Sequence, residues 1–202
     1  MKNTPKFWYV AILLMTTLSC TKNADLSLKD SFTQLNEGTA VTVDRVQPNI
    51  SSIGNPYAIL LESVTNNGDN TWTWVWSVQN PNPGNGNNGT AQGLSHWGFG
   101  FGTCVTSSDL VSAGYSRDGN TWTDFNPGIA VDPSQSCFTR PVLKFEFETN
   151  GNQKSWYRLV VNKDLPVNNS ATGYYKSGSR TGCGTFSFAG IGCGDIIIEI
   201  IE

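Results

Sequence analysis

The chain has 202 residues, and its 13 lysines and arginines against 16 aspartates and glutamates give a net charge of -3 at neutral pH. This acidic balance argues against nucleic acid as a partner, because nucleic-acid binding requires clustered positive charge. Only 14% of the residues are charged, whereas 21 are glycine and 7 are tryptophan. Such a composition is typical of an exported β-protein with many turns.

The N-terminus has the pattern of an export signal. Lys2 and Lys6 stand at the start of the chain, and an apolar stretch covers residues 7–18. A run of about twelve apolar residues is too short to cross a hydrocarbon core of ~30 Å as a helix. We therefore expect residues 1–19 to be a cleaved signal peptide.

Cys20 ends this segment. The motif Leu18-Ser19-Cys20 resembles the lipobox of bacterial lipoproteins, although Thr17 stands where that family usually has an aliphatic residue. The resemblance implies that Cys20 is acylated and anchors the chain as an outer-membrane lipoprotein, with residues 20–38 as a lipidated tether. The start of this tether, residues 22–25, is similar to the surface-export signal of Bacteroidetes-type lipoproteins. Cleavage by an ordinary signal peptidase nearby, with no lipid on Cys20, is the alternative.

From residue 39 onward, short runs of β-branched and aromatic residues are separated by Gly, Asn and Pro, and no stretch predicts a helix of three turns. The pattern predicts one all-β domain over residues 39–202, namely a β-sandwich with immunoglobulin-like or jelly-roll-like topology. A closed barrel is the alternative. The predicted strands cover residues 40–46, 57–64, 71–78, 94–101, 110–116, 142–149, 156–161, 184–189 and 196–201. Between two of them, the polar residues 80–89 predict a long mobile loop in solvent.

Five tryptophans are candidate ligand-binding residues. Trp72, Trp74 and Trp76 alternate with smaller residues and project from one side of a predicted strand, which is the arrangement of a platform for sugar rings. The alternative, which we favour for these three, is that they fill the sandwich core. Trp97 and Trp122 adjoin Gly-rich or Asp-rich segments, so we expect their rings to be at least as exposed as those of the three alternating tryptophans.

His96 is the only histidine of the chain. It lacks a recognisable nucleophile motif, a second metal ligand or a paired acid, so we interpret it as structural. The carboxylates Glu62, Asp109, Glu146 and Glu148 include no pair that the sequence places across a sugar ring. We therefore predict no catalytic residue.

Calcium is the metal that the loops suit best, because it prefers oxygen ligands. Asp118, Asn120, Asp124 and Asp132 supply such oxygens, but their spacing does not match the EF-hand pattern. Asp and Asn in such turns commonly close hairpins. The prediction is therefore no metal site and no cofactor, with calcium as the alternative.

Four cysteines remain beyond Cys20, and an even number in an exported chain predicts two disulfides. They are Cys104, Cys137, Cys183 and Cys193. Three pairings are open, and we predict the sequentially nearest one, Cys104–Cys137 with Cys183–Cys193, because it closes the shortest loops. A zinc site is the weaker alternative, since the C-x-x-C spacing is missing.

One group of motifs runs from Leu94-Ser95-His96-Trp97 through Cys104 and residues 109–116 to Asp118-Gly119 and Trp122. Together these motifs resemble a module of secreted and surface-attached bacterial proteins, which implies a β-sandwich without catalytic residues. The predicted function is a noncatalytic cell-envelope lipoprotein for adhesion or ligand binding. Its expected partners are the membrane, through the lipid, and glycans or surface proteins. The alternatives are a carbohydrate-binding module of a glycan-uptake system and, third, a hydrolase with an unrecognised site.

Overall fold

The computed structural model describes residues 55–193. This range contains nine strands and one short 3-10 helix, Ser107–Asp109. None of its helices is long and apolar enough to cross a membrane. The strands are β1 Ala58–Asn66, β2 Trp72–Gln79, β3 Leu94–Phe99, β4 Leu110–Ser116, β5 Thr123–Phe125, β6 Leu143–Phe145, β7 Lys154–Val161, β8 Val167–Ser177 and β9 Cys183–Ile191.

The strands form two antiparallel sheets, and the predicted β-sandwich is confirmed. The five-stranded sheet has the order β1-β2-β7-β4-β5, and the four-stranded sheet has the order β6-β3-β8-β9. Only the connections β1–β2, β4–β5 and β8–β9 stay within one sheet, and the others cross between sheets. This repeated crossing is the jelly-roll-like variant of the predicted fold.

Aromatic side chains fill the space between the sheets. Trp97 is fully buried, and its indole contacts the ring of Phe145 at 5.1 Å and that of Tyr157, on the opposite sheet, at 5.4 Å between centroids. The indole nitrogen of Trp76 donates a hydrogen bond of 2.9 Å to the carbonyl of Ala189 across the sandwich. Rings that alternate with small or polar residues thus face inward and hold the two sheets together.

Each predicted strand that falls in the described range overlaps an observed strand, but β5 and β8 were missed. Strand β8 contains Asn168 and Asn169 near its start and Gly173 in its middle, residue types that are depleted in strands. Pairing with β3 on one side and β9 on the other overrides these weak preferences. The predicted strands 40–46 and 196–201, the signal peptide, the tether and Cys20 lie outside the described residues.

Both disulfides are present, but the predicted pairing is wrong. The bridges join Cys104 to Cys193 and Cys137 to Cys183, with Cα–Cα distances of 5.3 and 6.1 Å. Shortest loop closure was a poor guide, because the fold brings distant segments together. The loop after β3 meets the end of β9, and the connection from β5 to β6 lies beside the start of β9.

The segment 80–89 is exposed for most of its length, as predicted, yet Asn80 at its start is buried. The Asn80 amide donates to the carbonyl of Ala91 at 2.9 Å, and the backbone N–H of Gly84 donates to the same carbonyl at 2.8 Å. The segment is therefore a loop closed by its own hydrogen bonds, and the expectation that all of it lies in solvent is wrong for Asn80.

Candidate functional site in a cleft at the edge of the sandwich

The two sheets end at the same side of the sandwich with their shortest strands, β5 and β6. At the opposite side, β1 and β9 approach each other. The rings of Phe125 and Phe145 meet edge to face at the β5–β6 side, with centroids 6.0 Å apart. Residues 126–142 connect the two edge strands, and the backbones of Ala130 and Val142 pair within this segment. The connection therefore forms a wall beside the gap between the sheets.

A cleft of about 520 Å³ lies between this wall and the two edge strands. Its volume is within the range of ~300–1,000 Å³ that small-molecule sites occupy. Apolar side chains and three charged residues, Asp132, Lys144 and Glu146, line it. The residues that line this edge cleft are Tyr115, Phe125, Asn126, Gly128, Ala130, Val131, Asp132, Pro133, Val142, Lys144 and Glu146.

Asp132 fastens the wall to the four-stranded sheet. Its side chain is 1% exposed. One carboxylate oxygen accepts hydrogen bonds from the backbone N–H and hydroxyl of Ser134, at 3.0 and 2.7 Å, and from the Lys144 ammonium at 3.2 Å. The other oxygen accepts from the Tyr174 hydroxyl at 2.8 Å and from His96 Nε2 at 3.0 Å. A buried carboxylate with this many donors is fully satisfied.

The cluster contains a serine, a histidine and an aspartate, but its geometry is not that of a catalytic triad. In a triad the carboxylate and the hydroxyl contact opposite ring nitrogens. Here Asp132 Oδ2 and Ser134 Oγ lie at 3.0 and 3.3 Å from the same nitrogen, His96 Nε2. The arrangement orients the wall of the cleft and does not align a nucleophile with a base.

The local environment fixes the charges of the cluster. Burial alone would raise the pKa of Asp132, but hydrogen bonds from Ser134, Tyr174 and Lys144 hold that pKa well below the ordinary aspartate value. Burial and the neighbouring charge of Lys144 lower the pKa of His96, despite the opposing effect of Asp132. We therefore expect a charged Asp132 and a neutral His96 at neutral pH.

The small size of Gly98 leaves room for the large ring of Tyr174, whose hydroxyl reaches Asp132. Tyr174 projects from the outer face of β8 and is fully buried beneath the wall, where it packs on Phe138. A Cβ atom on the neighbouring Gly98 would come within 2.8 Å of the Tyr174 ring and would also meet the Leu143 carbonyl. The absence of a side chain at Gly98 therefore permits close packing around the Tyr174 ring.

A second, smaller hollow of about 290 Å³ adjoins the edge cleft. Tyr115 lines both hollows. Its ring stacks on that of Phe147, with centroids 3.9 Å apart. The other residues that line the second hollow are Ser116, Arg117, Asp118, Thr121, Thr123 and Phe147.

Charged residues at the rim of the two hollows are paired with each other. Lys144 forms an ion pair with Glu146 as well as with Asp132. Arg117 lies 3.8 Å from a carboxylate oxygen of Glu148, and its guanidinium stands 4.5 Å from the centre of the Phe147 ring. The rim therefore offers adjacent donors and acceptors without an uncompensated cation.

The predicted indole platform is absent from the surface. Trp74 and Trp76 are fully buried in the core, as favoured, and Trp97 is also fully buried, which contradicts its expected exposure. Trp72 is half-buried against the core. Trp122 is half-buried on the outer face of the five-stranded sheet, with the Arg158 guanidinium 4.7 Å above its ring. Trp97 faces the core because its position in β3 places its side chain on the inward face of the strand, where it packs on Phe145.

The residues considered for calcium are not brought together. Asp118 accepts hydrogen bonds within its own turn from Asn120 and Thr121, and Asp124 pairs with Arg158 at 2.7 Å. Asp132 is saturated in the wall. Within residues 55–193, no group of three or more His, Cys, Asp or Glu side chains is arranged to hold a metal ion.

The four carboxylates considered for a glycosidase pair also have separate partners. Glu62 pairs with Lys154 on the five-stranded sheet. Asp109 closes the capping box of the 3-10 helix with Thr106. Glu146 and Glu148 follow β6 and pair with Lys144 and Arg117, respectively. Each carboxylate thus has a local structural role.

Several residues of the edge cleft were not predicted. Tyr115 and Phe125 come from the paired strands β4 and β5, whereas Lys144 and Glu146 come from β6 and the segment after it in the other sheet, so the juxtaposition of these two groups depends on the crossing connection from β5 to β6. Lys144 did carry a signal, because it alternates with Leu143 and Phe145 and therefore projects to the opposite face of its strand. The alternation indicates on which face of β6 the Lys144 ammonium lies, but it does not reveal that Asp132 is its buried partner.

The described residues define a two-sheet antiparallel β-sandwich with a cleft at one edge. Compared with protein-family models, curated proteins and solved structures, the chain matches none. The resemblance to a surface-lipoprotein module stays a prediction, and function is inferred from the cleft itself.

Proposed function

We propose that the chain is a noncatalytic lipoprotein of the cell envelope that binds a ligand at the cell surface through its edge cleft. The observation that carries this proposal is the cleft of about 520 Å³ with aromatic and aliphatic walls and a few charged groups. Concave, mostly apolar sites with a few convergent polar groups are the usual form of ligand sites.

The internal hydrogen bonds of the cleft support binding over turnover. The Tyr174 hydroxyl, the Ser134 hydroxyl and His96 Nε2 all form hydrogen bonds with the Asp132 carboxylate. A general acid or base must instead be free to exchange a proton with a substrate. These side chains stabilise a preformed wall, which lowers the ordering cost of binding.

Attachment through Cys20 supports the location. Acyl chains contribute about 0.8 kcal/mol per buried methylene, so more than one chain gives a durable anchor. A polar tether over residues 20–38 would hold the sandwich away from the lipid surface. An adhesive role, with glycans or surface proteins as partners, fits this arrangement.

The two alternatives have different support. A carbohydrate-binding module no longer depends on an indole platform, because Trp74, Trp76 and Trp97 are buried. The half-buried Tyr115 and Phe125 of the edge cleft are now its best aromatic candidates. A hydrolase has the weaker support, since the Ser134, His96 and Asp132 geometry does not suit nucleophilic attack.

Blocking the cleft tests the proposal. Ala130 is exposed and lines the cleft, so Ala130→Trp should fill it, whereas Val111→Trp places the same bulk at an exposed position away from the cleft. A library of small soluble compounds is screened by thermal shift against the chain from Thr21 onward. We expect compounds that stabilise the wild type and Val111→Trp but not Ala130→Trp. Equal stabilisation of all three proteins, or of none, contradicts a ligand site in this cleft.

A further inference from the structure

The edge cleft and the second hollow share a wall. Tyr115 lines both, and the hollows have volumes of about 520 and 290 Å³. Because β5 and β6 are each only three residues long, the gap between the sheets stays open along this side. The two hollows therefore lie side by side about the Tyr115 ring, and together they are called the edge groove.

The floor of the edge groove offers aromatic faces. Tyr115 and Phe125 are half-buried, so part of each ring remains accessible. Stacking on Phe147 holds the Tyr115 ring in place. The C–H faces of sugar rings pack against flat aromatic surfaces, and a ring that is fixed in advance loses little entropy on binding.

The rim of the groove disfavours an anionic ligand. Lys144 lies between the carboxylates of Asp132 and Glu146, Arg117 lies beside Glu148, and Asp118 adds a further carboxylate to the second hollow. An anionic ligand would have to compete with these carboxylates for the cations. Hydroxyl groups both donate and accept hydrogen bonds, so neighbouring hydroxyls match a rim in which donors and acceptors alternate.

We propose that the edge groove binds a neutral oligosaccharide, with one sugar ring in each hollow and Tyr115 between them. This inference rests on the proposed function, since it names the ligand class of the same site. An oligosaccharide consists of repeating sugar units, so two neighbouring units fit the two hollows on either side of the Tyr115 ring. Such a ligand also explains why aromatic floor residues occur together with rim cations that are already paired with carboxylates.

Isothermal titration with defined glycans tests the inference. The probes are cellohexaose, xylohexaose, laminarihexaose and mannohexaose, each compared with its monosaccharide, and polygalacturonate serves as an acidic glycan. We expect saturable binding of at least one neutral hexasaccharide, with affinity that rises from the monosaccharide to the short oligomers. Polygalacturonate should bind more weakly than that hexasaccharide.

Three variants locate the binding. Tyr115→Leu should weaken the affinity about tenfold through loss of ring stacking. Glu146→Gln should also weaken it, and because Glu146 is 74% exposed, this variant keeps the test valid if Tyr115→Leu folds poorly. Trp122→Leu, on the outer face of the five-stranded sheet, should leave the affinity unchanged.

The possible failures are distinguishable. If no neutral hexasaccharide binds, or if polygalacturonate binds best, the glycan inference is wrong, while compounds blocked by Ala130→Trp would still support a ligand site. If Trp122→Leu abolishes glycan binding and Tyr115→Leu does not, the sugar binds elsewhere and the edge groove is excluded as its site. If neither compounds nor glycans bind, both proposals fail.

Discussion

Asp132 is the residue on which the wall of the edge cleft depends most. Its carboxylate joins the connecting segment to β3, β6 and β8 through His96, Lys144 and Tyr174. This buried side chain thus holds the wall in place together with the Ala130–Val142 backbone pairing and the Cys137–Cys183 bridge. Loss of its charge should affect stability and the shape of the cleft together.

We predict that Asp132→Asn lowers the free energy of unfolding by about 2–4 kcal/mol, because it breaks a buried ion pair and leaves donors without an acceptor. Urea unfolding followed by tryptophan fluorescence measures the change. Asp124→Asn is the matched control, since it also breaks an ion pair, with Arg158, but its side chain is 52% exposed. A loss for Asp132→Asn no larger than that of the control would show that the network contributes little.

His96 gives a separate prediction because it is the only histidine of the chain. Burial and Lys144 lower its pKa in the folded protein, so the unfolded chain binds its proton first as the pH falls. Stability should therefore decrease as the pH falls through the ordinary histidine pKa of about 6.5. In His96→Gln this decrease between pH 7.5 and 5.5 should be absent. Identical pH profiles of unfolding for the two proteins would rule out the lowered pKa.

At the scale of the strands, β5 and β8 were not predicted from the sequence for the same physical reason. Strand β8 has little β-propensity of its own at Asn168, Asn169 and Ser170, and β5 spans only three residues. Both form because neighbouring strands offer hydrogen-bond partners. Strands with a strong apolar alternation, such as β2 and β7, were predictable because local pattern and burial agree.

The disulfides give a prediction at the same scale. Non-reducing peptide mapping should recover the bridges Cys104–Cys193 and Cys137–Cys183 and not the nearest-neighbour pairs. The bridges span sequence separations of 89 and 46 residues. Chain-entropy arguments then give a stabilisation of about 4 kcal/mol for each.

Paired serine variants test the contribution of each bridge. Cys137→Ser with Cys183→Ser should lower the unfolding midpoint and loosen the wall of the edge cleft, because this bridge ties the wall to β9. Cys104→Ser with Cys193→Ser should lower the midpoint as well but leave the cleft intact. Recovery of a Cys104–Cys137 peptide from the wild type would contradict the observed pairing.

For the whole molecule, the sequence predicted the sandwich and its aromatic core but only part of the site. Alternation placed Trp74 and Trp76 inward. The sequence did not predict that Trp97 faces the core, or that Tyr115 of one sheet stacks on Phe147 beside the other, because such contacts depend on how the two sheets pack. Sequence patterns report on neighbours along a strand, whereas the edge cleft combines segments that are distant in the chain.

The location of the molecule is testable through Cys20. We expect Cys20→Ala to move the protein from the membrane fraction to the soluble fraction of cells, because the variant has no sulfur to acylate. Cys104→Ser with Cys193→Ser serves as the control, since it also removes cysteine sulfur, here from a disulfide, but leaves the predicted lipid site. Unchanged membrane partitioning of Cys20→Ala would exclude the lipid anchor.

The central claim is that the edge cleft is the ligand site, and the most direct measurement is a two-dimensional NMR titration of the chain from Thr21 onward with the best-binding neutral hexasaccharide. The account predicts that backbone signals shift at Tyr115, Phe125 and Lys144, with smaller shifts at Thr121 and Thr123 of the second hollow. Shifts centred on Trp122 and Arg158, or no shifts at saturating ligand, would contradict it.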